Sequence, residues 1–391
     1  MSLVVRAARV VTGDPAEPPR LADVAVAFDR IAAVTPPGHG GDAETVIEAE
    51  GRVLMPAFVD AHTHAIWAGS RVDEWERRRR GESYLDILRA GGGIMATVRA
   101  VRAASEAELA DGLLGRLRTM LREGTATVEV KSGYGLTTAD ELKLLRAIDT
   151  AARRFPGTVV PTALLGHAID PDTAGFVDVV VEETLPAVHA AFPHVAVDAF
   201  IEDGAWSVAD ARRLLESAHA LGHPLRIHAD QFHRLGGLAL AVELGARSAD
   251  HLEASTAADL VALARSATFG VMLPSSGFHL DDRYADGRSF LDAGGKLALA
   301  SNYNPGSSPT SSMPLVIALA VRKLGLDVAE AIAATTSAPA ALLGLPDRGR
   351  VAPGARADLV LLRHHDERLL AYELGGNPVD LVICAGQAIT A

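Results

Sequence analysis

The stretch FVDAHTH, Phe58 to His64, decides how the rest of the chain is read. An apolar run ends at Asp60, where a buried strand should stop, and His62 and His64 follow two residues apart. Side chains two apart in an extended segment point to the same face, so both imidazoles can reach one ion. On its own this spacing suits hydrogen-bonded structural histidines better than a metal site. The surrounding sequence turns the balance toward the ion.

Working outward, apolar runs recur near Met55 to Asp60, Thr127 to Val130, Val159 to Ala163, Val197 to Ile201, Leu225 to Ile227, Arg247 to Ala249, Phe269 to Leu273 and Leu297 to Ala300. Between them lie segments such as ASEAELADGLLGRLRTMLREG (104–124) and TADELKLLRAIDTAARRF (138–155). Their apolar residues return every three or four positions, the period of a helix that buries one face. Alternating strands and helices predict parallel pairing, and eight such repeats predict an α/β fold closed as a (β/α)8 TIM-type barrel. The chain ends read differently. Residues 3 to 54 and 349 to 391 are short β-rich runs broken by Gly and Pro, which predicts a small composite β-sandwich domain formed by both ends. The expected division is 1–54 and 346–391 for that domain and 55–345 for the barrel.

The chain has 391 residues, 49% of them hydrophobic, and a formal net charge of −12. A barrel takes about 250 residues, which leaves room for one smaller companion. The acidic balance and the absence of a strongly basic tract argue against nucleic acid and anionic membrane as partners. Arg77 to Arg80 is flanked by Glu74, Trp75, Glu76, Gly81 and Glu82 and reads as a solvated helix face. The single cysteine, Cys384, excludes an intrachain disulfide and a Cys-rich zinc ribbon. The opening LVVRAARVV is interrupted by Arg6 and Arg9, and no run approaches the ~18 apolar residues of a membrane span. A cytoplasmic protein is expected. Pro314 to Val321 fits either a barrel helix or the interface of a homodimer. GxSxG, GxxxxGK[ST] and HExxH are all missing, so serine hydrolases, P-loop NTPases and zincins lack their residues.

Active sites of such barrels sit at the C-terminal ends of the strands. Those ends carry His62 and His64, then Lys131 and Tyr134, His167, Glu202 and Asp203, His228 with Asp230 and Gln231, Asp250 and His251, and finally SNYNPGSSPT (301–310). Histidines after strands one, three, five and six on one rim are hard to explain by packing. A hydrolytic zinc site commonly has three protein ligands and an open position, and His62, His64 and His228 supply that set if strands one and five face each other. Water held by such an ion ionises near pH 7 rather than about 15.7. His251 is then placed to act as general base. Asp250 is expected to face away from it, toward structure.

FVDAHTH, AGSR, YLDILRAGGGI, TVEVKSGYGL, LLGHAI, IHADQ, SADHL and NPGSSPT, in this order, resemble the imidazolonepropionase family of the amidohydrolase superfamily, over nearly the whole chain. The HxH pair is shared widely in the superfamily; KSGYGL with AGGGI and NPGSSPT is far more diagnostic. The resemblance implies a barrel beside a composite β-sandwich. It also implies a hydrolase that opens the lactam ring of 4-imidazolone-5-propanoate to N-formimino-L-glutamate in histidine breakdown.

Carried over by position, it implies one Zn(II) or Fe ion per chain on His62, His64 and His228, with Asn302 at the fourth metal position. His251 would be the base, and His167 would polarise the ring carbonyl. Arg71, seven residues beyond His64, would hold the carboxylate of a small anionic substrate, a task suited to a guanidinium fork. Tyr134, His167 and Gln231 would contact the ring, and Asn304, Gly306 and Ser307 would line the far side. Gly91 to Gly93 make a turn or bring N–H groups near the carboxylate, and they stay outside the expected site.

Two positions depart from the pattern. Gln231 stands where some members have Glu, and Asn302 where the superfamily has an Asp that ligates metal and handles a proton. An amide offers a carbonyl oxygen to an ion but is no base. The rival readings are another cyclic amidohydrolase, a deaminase of an aromatic base, and a catalytically silent barrel kept as a binding protein, which only Asn302 favours.

Overall fold

The computed structural model describes residues 2–82, 86 and 92–389; Gly91, with most of the YLDILRA stretch before it, lies outside them. The strands in chain order are β1 (Ser2–Val10), β2 (Arg20–Ala27), β3 (Arg30–Thr35), β4 (Thr45–Glu48), β5 (Val53–Pro56), β6 (Phe58–Asp60), β7 (Thr125–Lys131) and β8 (Thr158–Gly166). They continue with β9 (Ala196–Ile201), β10 (Leu225–Ala229), β11 (Ser248–His251), β12 (Phe269–Met272), β13 (Leu297–Leu299), β14 (Leu359–Leu362), β15 (Val379–Cys384) and β16 (Gln387–Ile389).

One sheet joins the chain ends in the order β16-β15-β14-β5-β1-β2-β3, with β4 beside β1. Alternate residues of these strands, among them Leu3, Val5, Val24, Val26, Leu359, Leu361 and Ile383, pack into one apolar cluster. Its seam is β5, parallel to β1 and antiparallel to β14 with Met55 opposite Val360.

The run expected as one strand from Met55 to Asp60 is therefore two, β5 in the end sheet and β6 in the barrel. Pro56 brings no N–H to either ladder. Beyond it, Ala57 N donates to Asp358 O and Phe58 N to Gly124 O, both at 2.9 Å, so the pairing partner changes within two residues.

The second sheet runs β6 to β13 in sequence order, every pair parallel. Helices cover it as their periodicity predicts. The helix Glu106–Arg122 starts in a capping box of Ser105 and Glu108 and buries Leu109, Leu113, Leu117 and Met120, a stripe at helical spacing. Pro314 to Val321 falls in the helix Met313–Lys323, where Val316, Ile317 and Leu319 are buried, so this segment is barrel helix. No described helix is long and apolar enough to cross a membrane.

β6 and β13 do not form a ladder. The barrel closes between them at its C-terminal rim, through Asn302 N to His62 O and His64 N to Tyr303 O, each 3.0 Å, around a Thr63–Tyr303 bridge. Closure thus draws the two histidines of strand one against the loop that follows strand eight.

Candidate active site

The imidazoles of His62, His64 and His228 converge inside this rim. One ligand atom from each lies within 4.8 Å of the others, and His64 Nε2 is 3.4 Å from His228 Nε2. All three are buried. Burial, reinforced by Lys131 and neighbouring imidazoles, pushes each well below its ordinary pKa, leaving the neutral form that ligates metals.

His62 Nδ1 donates to Asp250 Oδ2 at 2.6 Å and His228 Nδ1 to Asp198 Oδ1 at 3.0 Å. A carboxylate can only accept, so the proton sits on Nδ1 and Nε2 presents a lone pair. His62 Nε2 and Asn302 Oδ1 are buried without a protein partner, and such orphaned atoms call for an explanation. Nitrogens about 2.0–2.1 Å from a tetrahedral zinc lie roughly 3.3–3.4 Å apart, a separation the His64–His228 pair meets. These residues fit a metal ion of the borderline-soft type. Asn302 holds its backbone at φ +53°, a left-handed conformation that Asn tolerates better than most residues.

Below the histidines lies a buried charge cluster. Lys131 Nζ is 2.9 Å from Glu129, 2.8 Å from Asp198 and 3.8 Å from Asp250, and Arg226 pairs with Glu129 at 3.2 Å and Asp250 at 2.8 Å. Burial acts to raise the Asp250 carboxyl, but Arg226 and Lys131 outweigh it and hold the pKa below the usual range. Burial raises the Asp198 carboxyl, with Lys131 opposing. Asp250, expected to face away from His251 toward structure, holds His62 Nδ1 and pairs with Arg226. Glu129, Asp198 and Arg226 were not anticipated as part of the site. The signal was in the alternation: Glu129-Val130-Lys131, Arg226-Ile227-His228 and Ser248-Ala249-Asp250 place polar residues two apart in otherwise apolar strands, hence on one face.

On the rim, the His251 ring is 5.9 Å from that of His62 and 5.7 Å from that of His228, centroid to centroid. Its Nδ1 lies 3.2 Å from Glu253 Oε1, a partner the sequence reading did not single out. His167 stacks on His64 with centroids 5.0 Å apart, and Tyr134 lies equally near it. His167 Nδ1 is 2.9 Å from Gly133 O. That carbonyl can only accept, so Nδ1 carries the hydrogen. Burial lowers the His167 pKa to about 4, and the neutral ring then offers Nε2 as an acceptor, not as the donor that polarising a carbonyl requires. A Cβ on Gly133, whose φ is +102°, would stand 2.8 Å from Leu164 O and 3.0 Å from His167 Nδ1; only glycine allows this contact. Burial raises the Tyr134 pKa against the pull of Arg71 and Arg116, so the phenol keeps its proton.

Arg71 precedes the helix Val72–Arg79 and pairs through Nη2 with Glu74 at 2.7 Å, while its Nε is buried without a partner. Gly306 backs onto it: a Cβ there would lie 3.1 Å from Arg71 Nη1. Asn304 is engaged within its own loop, donating to Asn302 O at 2.6 Å and Ser307 Oγ at 2.8 Å and accepting from Gly306 N and Ser307 N. It thereby shapes the turn that sets Gly306 beside Arg71. Gln231 is buried just past β10, in a segment that Glu202 ties down by accepting from Phe232 N and His233 N. Asp230 accepts from Ser255 Oγ and acts as a turn residue. Arg116, unforeseen, donates to Ala65 O and Trp67 O at 3.1 Å and lies 3.5 Å from the Trp67 ring centroid, clamping the segment between His64 and Arg71.

A barrel with an HxH pair, a histidine from strand five and a histidine from strand six on one rim defines a class, and the sequence model of the amidohydrolase family matches residues 53–389: the chain belongs to that family. Within it, the chain is 47% identical to the imidazolonepropionase of Rubrobacter xylanophilus, over 93% of this chain and 90% of that one. It is 45% identical to the imidazolonepropionase of Symbiobacterium thermophilum, over 99% and 96% of the two chains. Among solved structures, an adenosine deaminase from Xanthomonas campestris with bound zinc matches with a TM-score of 0.71 at 20% identity, covering 99% of this chain and 92% of that one. This last likeness speaks for the fold.

Proposed function

We propose that this chain is an imidazolonepropionase, a hydrolase that opens the cyclic amide of 4-imidazolone-5-propanoate to N-formimino-L-glutamate in histidine degradation. One observation carries the reading: relatives of that name match at 42–47% identity across 87–99% of this chain.

His62, His64 and His228, with Asn302 Oδ1, would hold one Zn(II) or Fe ion, which when bound lowers the pKa of water toward about 7 and polarises a carbonyl. The other steps belong to side chains. Arg71 receives the propanoate with its guanidinium fork, and Gly306, having no side chain, leaves space beside it. The Tyr134 phenol, protonated at neutral pH, donates to the same small anionic substrate. His167 Nε2 accepts the hydrogen bond of a ring N–H and so orients the ring, and Gln231 meets it with an amide. Water adds to the ring carbonyl while His251 Nε2 takes its proton; as the C–N bond breaks, His251 returns that proton to the leaving nitrogen. Glu253 accepts from Nδ1 and holds the imidazole in place, as the carboxylate of a carboxylate–histidine pair does. Asn302 has no basic group, so both proton transfers fall to His251.

The test is hydrolysis of 4-imidazolone-5-propanoate by the purified chain before and after removal of metal by a chelator. Turnover lost on chelation and restored by zinc or iron is the expected result. Turnover indifferent to chelation would keep the substrate and sink the metal site. No turnover even with added metal would favour a different substrate or a silent barrel.

A further inference from the structure

We infer that Lys131 is a positioning residue that sets the ion affinity of the three-histidine centre without touching any of the histidines. The inference rests on the reading that His62, His64 and His228 hold an ion. Lys131 Nζ sits among three carboxylates, at 2.9 Å from Glu129, 2.8 Å from Asp198 and 3.8 Å from Asp250. Each of them reaches a different part of the ligand set. Asp250 accepts from His62 Nδ1 at 2.6 Å, Asp198 from His228 Nδ1 at 3.0 Å, and Glu129 Oε2 from Thr63 N, between His62 and His64, at 3.1 Å. Lys131 also binds this segment directly, its backbone N donating to Thr63 O at 3.0 Å. One ammonium therefore joins three contacts that fix which nitrogens His62 and His228 present and where the HxH backbone lies.

A role limited to stability accounts poorly for this arrangement. Buried ion pairs are seldom more stabilising than apolar residues of the same volume, and every member of the cluster is buried. The charges do not balance either. Glu129, Asp198 and Asp250 face only Lys131 and Arg226 within it, three negative against two positive, and Asp250 Oδ1 has no hydrogen-bond partner. A cluster with more carboxylates than cationic side chains, set behind three imidazoles, suits a cation in front of them.

The experiment uses the full chain, stripped of metal, with Zn2+ titrated in competition with a chromophoric chelator and Tm followed in parallel. The parent should take up one zinc per chain; a parent that takes up none would overturn the metal reading itself, a separate failure. Lys131→Met should bind zinc about tenfold or more weakly, the loss usual for outer partners of ligating histidines. Combining it with Asp198→Asn should weaken binding by less than the product of the single effects, since the two changes break one chain of contacts. A folded Lys131→Met that binds zinc within about twofold of the parent while Tm falls would show a structural lysine and overturn the inference. Should Lys131→Met not fold, Lys131→Gln, which keeps a donor but no charge, decides: a loss of about tenfold upholds the inference, and unchanged affinity overturns it.

Discussion

In the end sheet the inward side chains are Leu3, Val5, Val24, Val26, Leu359, Leu361 and Ile383. In the barrel, on strands with the same alternation, they are Glu129, Lys131, Asp198, Arg226, His228 and Asp250, equally buried. The apolar core is held by area removed from water, so an altered residue there loses transfer energy and leaves a cavity. The charged core is held by mutual compensation, and an altered residue leaves its partners buried and unpaired. The first arrangement tolerates local change at a cost in stability alone. The second links every change to the histidines above it, which is why the chemistry of this chain belongs in the barrel and the end sheet can serve as support.

The sharpest break between the regions is expected at the rim. His251→Ala should lower kcat by ~10² to 10⁴, the usual contribution of a general base, while Tm stays near that of the parent. A kcat within a few-fold of the parent would take the proton transfers away from His251. Next in size, Leu361→Ala in the end-sheet core should cost about 3 kcal/mol of stability, read from denaturant unfolding, with kcat and KM unchanged at temperatures where it is folded. Altered kinetics there would mean that the two cores are coupled and that the contrast fails.

The smallest effect is expected in a third place. His223, at the foot of β10, donates or accepts through Nδ1 at 2.8 Å from Val195 O and Nε2 at 3.1 Å from His189 Nδ1. Since Val195 O only accepts, Nδ1 is the donor. Burial lowers the His223 pKa, and His189 and His194 lower it further against the pull of the Val195 carbonyl. The unfolded chain then binds the extra proton more readily. The stability contributed by the neutral ring is fully present above an unfolded value of about 6.5 and is lost as pH falls through the lower folded value. Parent Tm should therefore drop on acidification more than that of His223→Gln; superimposable pH profiles would remove this histidine from the acid response.

Much of the molecule was legible before its structure. All eight barrel strands fall where the apolar runs lie, because a buried parallel strand is a local pattern. The convergence of His62, His64 and His228 was also legible, since sequential strands of a closed barrel bring strands one and five to opposite sides of one rim. Other details were not. The tautomer of His167 depends on Gly133 O, a backbone atom with no signature in residue type, and the split of Met55 to Asp60 into two strands depends on which sheets lie on either side of Pro56.

What the amino-acid order alone determined is the set of short-range periods: two for the strands, about three and a half for the helices, and the HxH spacing that aims two imidazoles at one point. What only the tertiary structure decided is which charges meet in the barrel. Asp250 and His62 stand 188 positions apart in the chain, and neither residue's neighbours specify the other. Their contact follows from strand count, register and closure at Asn302 and Tyr303, which fix the inward residues of all eight strands at once. A charge in that interior has no water to turn to, so it takes whatever partner the closed barrel brings.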